Sequence, residues 1–91
     1  APKTKVLLNQ KKYIIGSACL SFGKLPITFK NCKHIFNLSL SENLFEASHL
    51  LYEGLRYLDK FDLKFIQVLP IPSIGIGKAL NDRLKRASFN E

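Results

Sequence analysis

The sequence of 91 residues contains no methionine and only two cysteines. Cys19 and Cys32 form no CxxC pair, and two cysteines are too few for a disulfide-rich secreted scaffold or a structural zinc site. Both lie within or beside apolar segments, which predicts reduced, buried thiols. Because methionine is absent and the chain starts at Ala1 and Pro2, we expect a piece of a longer protein.

Long apolar runs are also missing. No run approaches the ~20 residues of a membrane-spanning helix, and no basic segment followed by an apolar one forms a leader. We therefore expect a soluble, cytoplasmic protein with no membrane partner. The length predicts a single domain over residues 1–91, which would bury about 60 to 65% of the surface that its unfolded chain exposes. A deep catalytic cleft is not expected in a domain of this size.

Carboxylates are absent from the first third of the chain. Residues 1–34 hold seven lysines and no acid, so the whole net charge of +7 lies there. Such a surface could attract RNA phosphates or an acidic neighbouring domain. Its candidate nucleic-acid patch consists of Lys11, Lys12, Lys30 and Lys33. The alternative is a solvated lysine-rich surface, because lysine without arginine or stacking aromatics reads bases poorly.

Short apolar runs predict four strands, and a fifth, brief edge strand is possible at 27–29. The four runs lie around 6–8, over 13–20, over 34–38 and over 65–69. A polar turn over Asn9 to Lys12 separates the first two. Pro70 and Pro72 end the last strand because proline lacks the N–H that a sheet needs.

The best-defined element is a helix predicted over residues 40–61. Ser39 and Glu42 have the spacing of a capping box at its start. His49 on its polar face and His34 at a strand start have no partner at metal or triad spacing, so we predict no metal site. The predicted core stripe consists of Leu44, Ala47, Leu51, Leu55 and Leu58.

A second, basic helix is predicted from Ile76 onward. Gly75, Gly77 and Lys78 lie at its start, where unpaired N–H groups and the helix dipole favour an anion. These residues are candidates for binding a phosphate, carboxylate or nucleotide. The alternative is a tight strand-to-helix turn that needs small residues, because the spacing matches neither a P-loop nor a dinucleotide fingerprint. The predicted apolar face consists of Ile76, Ala79, Leu80, Leu84 and Ala87.

The order of the elements predicts an α/β fold. Strand, helix and strand between Ile35 and Leu69 form a βαβ unit, whose strands should be parallel and whose crossover should be right-handed. We expect a small, mostly parallel sheet of about four to five strands flanked by helices.

Three stretches together resemble the C-terminal domain of the long form of threonylcarbamoyl-AMP synthase, of the YrdC/Sua family. They are residues 37–41, residues 47–59 with the pattern Leu-Tyr-x-x-Leu-Arg-x-Leu-Asp, and residues 75–87 with the pattern Gly-Ile-Gly-x-Ala-Leu-x-Asp-Arg-Leu-x-Arg-Ala. Residues 20–26 resemble another stretch of this domain. Ala1, Pro2 and Lys3 resemble the end of the family's interdomain linker.

The resemblance implies a Rossmann-like fold and a place in a two-domain nucleotidyltransferase. Such an enzyme combines L-threonine, bicarbonate and ATP, with magnesium, into threonylcarbamoyl-AMP for N6-threonylcarbamoyladenosine modification of tRNA. The chemistry belongs to an N-terminal YrdC-like catalytic domain of the same polypeptide, so this chain is expected to hold no catalytic residue and no cofactor. One departure is the short spacer over Asn9 to Lys12, where family members often carry more chain, which leaves the strand order at that edge open.

Three functions stay open at this point. The domain could anchor the interdomain linker, through Ala1, Pro2 and Lys3, and so gate the catalytic domain. It could instead bind tRNA or a nucleotide through its lysine-rich third or the turn from Gly75 to Lys78. It could also be a stabilising module with no ligand.

Overall fold

Four parallel strands and two helices form the fold. The structure is a computed structural model that describes residues 2–89. Its elements in chain order are β1 (Lys5–Leu7), β2 (Ala18–Ser21), a 3-10 helix (Ile27–Phe29), β3 (Ile35–Asn37), α1 (Leu44–Asp59), β4 (Phe65–Val68) and α2 (Ile76–Ser88). The strands lie in the order β1-β4-β2-β3, and every neighbouring pair is parallel. The predicted α/β fold with a parallel sheet is confirmed.

The two faces of the sheet are covered differently. Successive side chains of a strand point to opposite faces, and the face with Val6, Leu20 and Ile66 packs against both helices in the main core. The other face carries Cys19, which packs with Phe29 of the 3-10 helix in a second, smaller core. Both helices therefore lie on one side of the sheet, and irregular chain covers the other.

The first helix buries the stripe that its sequence predicts. Ala47, Leu51, Leu55 and Leu58 are buried, and Leu44 is partly buried. Full burial of one leucine side chain contributes about 1.5 to 3 kcal/mol to folding. Gly54 is buried as well, and a Cβ atom there would lie 2.7 Å from a ring carbon of Phe36. The helix thus approaches the sheet more closely than a larger residue at 54 would permit.

The start of α1 lies further along the chain than predicted. The helix begins at Leu44, and its N-cap is Asn43, whose side chain accepts a hydrogen bond from the Glu46 amide. Ser39 is no N-cap, because its hydroxyl accepts from the Asn43 amide and donates to the Glu46 carboxylate. Glu42 has a φ of 62°, outside the right-handed helical region. The predicted capping box is therefore wrong, and so is the predicted helix end, which lies at Asp59.

Two strand predictions need correction. The run over 13–20 is a strand only from Ala18, because residues 13–17 belong to a segment that crosses the sheet. The possible edge strand over 27–29 is a 3-10 helix, in which the Phe29 amide donates to the Pro26 carbonyl. Phe29 is completely buried there, so this apolar run packs against the sheet and does not extend it.

The second helix is amphipathic, and its buried face is narrower than predicted. Leu80 and Leu84 are buried and Ala87 is partly buried, but Ile76 and Ala79 are exposed. The predicted core role of these last two residues is wrong, since α1 does not cover that side of the helix. No helix among residues 2–89 is both long enough and apolar enough to cross a membrane.

The two cysteines are buried and free, as the sequence predicts. Both belong to the second core. Burial, followed by the neighbouring Cys32 thiol, raises the pKa of Cys19 to about 12. Burial also raises the pKa of Cys32, against a backbone hydrogen bond at His34. Neutral thiols of this kind are unreactive at physiological pH.

The segment between β1 and β2 crosses the sheet without a helix, and one buried side chain holds it. Gln67 lies on the central strand β4 and is fully buried. Its side-chain oxygen accepts from the Ile14 amide at 2.9 Å, and its nitrogen donates to the Lys12 carbonyl at 2.7 Å and to Gln10 Oε1 at 2.9 Å. These bonds fasten the segment from Gln10 to Ile14 onto the face opposite the helices.

Replacing Gln67 by leucine should destabilise the fold. The change leaves the Ile14 amide and the Lys12 carbonyl without their partner, and we expect the free energy of unfolding to fall by about 2 kcal/mol. Urea denaturation measures it. Gln10→Ala is the control, since it leaves both backbone bonds intact and should cost less than about 1 kcal/mol. Equal effects of the two substitutions would contradict the role of Gln67.

Candidate functional site

The chain enters the domain against the last residue of α1. One carboxylate oxygen of Asp59 accepts from the Thr4 amide at 2.8 Å, and the other accepts from the Lys3 amide at 3.1 Å. Two consecutive backbone N–H groups thus bind one carboxylate, 55 and 56 residues away in sequence. We call Asp59 with Lys3 and Thr4 the N-terminal clamp.

The clamp holds a negative charge where a helix disfavours one. The C-terminal end of a helix carries partial negative charge, so an ionised Asp59 there is unfavourable by itself. Partial burial also raises its pKa, but the bonds from Thr4 and Lys3 outweigh burial and bring the pKa below its ordinary value. Asp59 is therefore ionised at neutral pH, and its position is explained by the residues that it holds.

Two of the predicted linker residues lie at this clamp. Lys3 supplies one of the two amides, and Pro2 lies between α1 and α2 beside Asp59. Ala1 lies outside the described residues. No prediction from the sequence singled out Asp59 as a site residue, although an acid in the last turn of a helix is a recognisable signal of an outside partner.

The predicted anion site is built as a tight turn. Gly75 is the N-cap of α2 with a φ of 54°, and Gly77 is buried, where an added Cβ would overlap the carbonyl oxygen of Pro72. The Gly77 amide donates to the Ile74 carbonyl, and the Lys78 amide donates to the Gly75 carbonyl. The positive φ explains why residue 75 is a glycine, and the close Pro72 carbonyl explains why residue 77 is one. Anion binding by Gly75, Gly77 and Lys78 stays a prediction.

The predicted lysine patch lies on the side away from the helices. Lys11, Lys12, Lys30 and Lys33 are all exposed. The Thr28 hydroxyl donates to the Lys11 carbonyl at 2.7 Å and so joins the crossing segment to the region of the 3-10 helix. The fold therefore brings the two lysine pairs, which are about 20 residues apart in sequence, onto neighbouring segments.

The two histidines pack against aromatic rings. The His34 ring lies 4.4 Å from the ring of Phe61, and the His49 ring lies 4.6 Å from that of Phe45. Within the described part of the chain, no group of three metal-ligating side chains could hold a metal ion. The structure thus gives both histidines a packing partner.

Residues 1–88 match the family model described as threonylcarbamoyl-AMP synthase, C-terminal domain. The match covers nearly the whole chain, so it includes the clamp, the turn before α2 and the lysine patch.

Replacing Asp59 by asparagine should loosen the chain at residues 3 and 4. The change removes the charge that strengthens both hydrogen bonds, and we expect the Thr4 amide to exchange with solvent about fivefold faster, the effect of about 1 kcal/mol. Amide hydrogen exchange followed by NMR measures it. Asp62→Asn is the matched control, because Asp62 is exposed and makes neither of these bonds.

The same bonds should depend on pH. Because the folded-state pKa of Asp59 lies below its ordinary value of 3.8, the clamp contributes its full stability above that pH. The contribution is lost as the pH falls through the folded-state value.

The comparison of the two variants can contradict the clamp. If the Thr4 amide exchanged equally fast in the Asp59→Asn and Asp62→Asn variants, the clamp would have no measurable strength.

Proposed function

The chain belongs to the family of threonylcarbamoyl-AMP synthase C-terminal domains, and on that basis we propose that it is the accessory domain of a two-domain enzyme. The parent enzyme would make threonylcarbamoyl-AMP from L-threonine, bicarbonate and ATP for the modification of tRNA. Its catalytic residues and its ATP with magnesium would belong to the YrdC-like domain. The accessory domain would anchor the interdomain linker and thereby gate the catalytic domain.

The N-terminal clamp is the observation that supports this role. It fixes the backbone at Lys3 and Thr4, immediately before β1, so the arriving chain is held to α1 as well as to the sheet. A linker fixed at one end has fewer conformations available, and closing it over a neighbouring domain then costs less entropy. The clamp gives the accessory domain a physical means of controlling the linker.

Gating follows if the linker covers the catalytic site. Segments that close over an active site exclude water and hold the reactants, and their opening often limits product release. The accessory domain would then affect the rate and the retention of threonylcarbamoyl-AMP without contributing a reacting group. This division of labour agrees with a domain whose described cavities are partly open to solvent.

Deleting residues 1–91 from the parent enzyme tests the proposal. We expect faster release of threonylcarbamoyl-AMP and a changed steady-state rate of its formation, because the linker loses its anchor. In the intact enzyme, Asp59→Asn should produce part of the same change and Asp62→Asn none. Unchanged kinetics and unchanged product retention after the deletion would leave only a stabilising role.

The lysine patch supports a second candidate, direct binding of tRNA. Four exposed lysines on neighbouring segments form a cationic surface, and the nearby Ile15 and Ile27 are also exposed. Titrating the 91-residue chain with tRNA tests this candidate. Binding through the patch should weaken steeply with salt, and changing Lys11, Lys12, Lys30 and Lys33 to glutamine should reduce the salt slope by about one unit per lysine. If tRNA at modest salt caused no shift of the backbone amide signals, tRNA binding would be excluded as a function of the patch.

Nucleotide binding at the turn before α2 has its own test. Titration with ATP should shift the amides of Gly75, Gly77 and Lys78 if this turn holds a phosphate, and Lys78→Gln should weaken the effect. Equal amide shifts in the unmodified chain and in the Lys78→Gln variant would show that Lys78 takes no part in binding. If ATP caused no amide shifts in the unmodified chain, the turn would serve packing alone.

A further inference from the structure

A cavity lies at the carboxyl ends of β1 and β4. The two strands pair in parallel, with Leu7 opposite Gln67, so both end at the same edge of the sheet. The cavity beyond them has a volume of about 360 Å³ and is partly open to solvent. Binding sites for small molecules usually have volumes of about 300 to 1,000 Å³. The cavity is therefore large enough for a small organic molecule.

The two segments that leave this edge of the sheet diverge. After β1, the chain from Gln10 to Ile14 passes over the face opposite the helices, where Gln67 holds it. After β4, the chain leads to α2, which packs on the other face. Open α/β sheets bind their ligands in crevices outside the carboxyl ends of the strands, where the connections leave in opposite directions. The cavity thus lies where a fold of this class binds ligands.

The floor of the cavity is aliphatic. It is lined by Leu8, Val68, Ile71 and Leu84. The last three are buried in the main core, and Leu8 is partly buried against it. Because a ligand group that covers this floor removes apolar surface from water, the floor favours an aliphatic group.

The amide of Asn81 forms part of the polar wall. Its Nδ2 donates to the Ile71 carbonyl at 2.8 Å and to Ser73 Oγ at 2.7 Å. These two bonds use both N–H groups of the amide, which leaves Asn81 Oδ1 as its acceptor. The Ser73 hydroxyl accepts from Asn81 and so keeps its own hydrogen to donate. Both residues line the cavity and thus offer it one acceptor and one donor.

Two side chains of α2 bring opposite charges to the cavity. Asp82 and Lys85 both line it, and both are exposed. Positions three apart on a helix have their Cβ atoms about 5 to 6 Å from each other. An exposed ion pair contributes little by itself, so a ligand that carries both charges can replace it. An α-amino acid carries its ammonium and carboxylate groups on one carbon atom, which suits so short a separation.

We propose that this cavity binds a free α-amino acid with an aliphatic side chain. The ammonium group binds the Asp82 carboxylate and Asn81 Oδ1, and the carboxylate binds the Lys85 ammonium and the Ser73 hydroxyl. The aliphatic side chain lies on the leucine-rich floor. This site shares no residue with the N-terminal clamp, the lysine patch or the turn from Gly75 to Lys78, and it does not depend on the proposed interdomain role.

Titration of the 91-residue chain with L-leucine tests the proposal. We expect the amide signals of Asn9, Asn81 and Lys85 to shift in NMR spectra, because all three residues line the cavity. Isocaproate lacks the ammonium group of leucine, and isoamylamine lacks its carboxylate. Each analogue should bind about tenfold more weakly, since it loses the hydrogen bonds of one charged group.

Matched variants test the two charged side chains. Asp82→Asn and Lys85→Gln should each weaken L-leucine binding about tenfold. Asp62→Asn and Arg86→Gln remove the same charges from exposed residues outside the lining, and they should leave binding unchanged. Unchanged thermal midpoints show that the variants remain folded, and the two analogues test the same contacts in the unmodified chain.

Two results would overturn the proposal. The first is the absence of amide shifts with L-leucine, L-isoleucine and L-valine at millimolar concentrations. The second is equal binding of L-leucine and isocaproate, or of L-leucine and isoamylamine, because the cavity would then not recognise both charges of an amino acid. Equal effects of Lys85→Gln and Arg86→Gln would likewise show that the net charge of the helix, and not the cavity, attracts the ligand.

Discussion

The hydrogen bonds of one buried amide, Gln67, hold the arrangement that the rest of the domain requires. Parallel strands normally need a helical crossover, because the chain must return along the sheet before the next strand begins. Between β1 and β2 that return is irregular, and its backbone groups find their partners in a side chain of the central strand. Because this segment covers one face without a helix, both helices lie on the other face, side by side.

That asymmetry divides the surface into two chemically different sides. The helix side carries the N-terminal clamp, whereas the opposite side carries the lysine patch. The connections from β1 to β2 and from β2 to β3 move across the sheet in one direction, over the face opposite the helices. The connection through α1 moves back in the other direction, over the face that the helices cover. A change of direction together with a change of face keeps the same crossover hand, as parallel sheets require.

Asp59 shows why the candidate site was hard to find from sequence. In the sequence it is the acid that ends the pattern Leu-Tyr-x-x-Leu-Arg-x-Leu-Asp, and no local feature of that pattern indicates a partner for it. Its role depends on Lys3 and Thr4, more than 50 residues earlier, whose amides reach it only because β1 pairs with β4 at the edge of the sheet. The glycine turn before α2 is the opposite case. Gly77 is conspicuous in the sequence as a candidate for anion binding, but the structure explains its small size by the close carbonyl oxygen of Pro72.

The sequence by itself determined the α/β class, the parallel strands, the buried stripe of α1 and the buried thiols, because hydrophobic periodicity and length are local properties. It misplaced the start of α1, since Asn43 as N-cap depends on hydrogen bonds with Ser39 and Glu46 that fix the loop. Only the tertiary structure decided the strand order and the partners of Gln67 and Asp59. Each of these depends on contacts between residues far apart in the chain, and no local pattern encodes which of them meet.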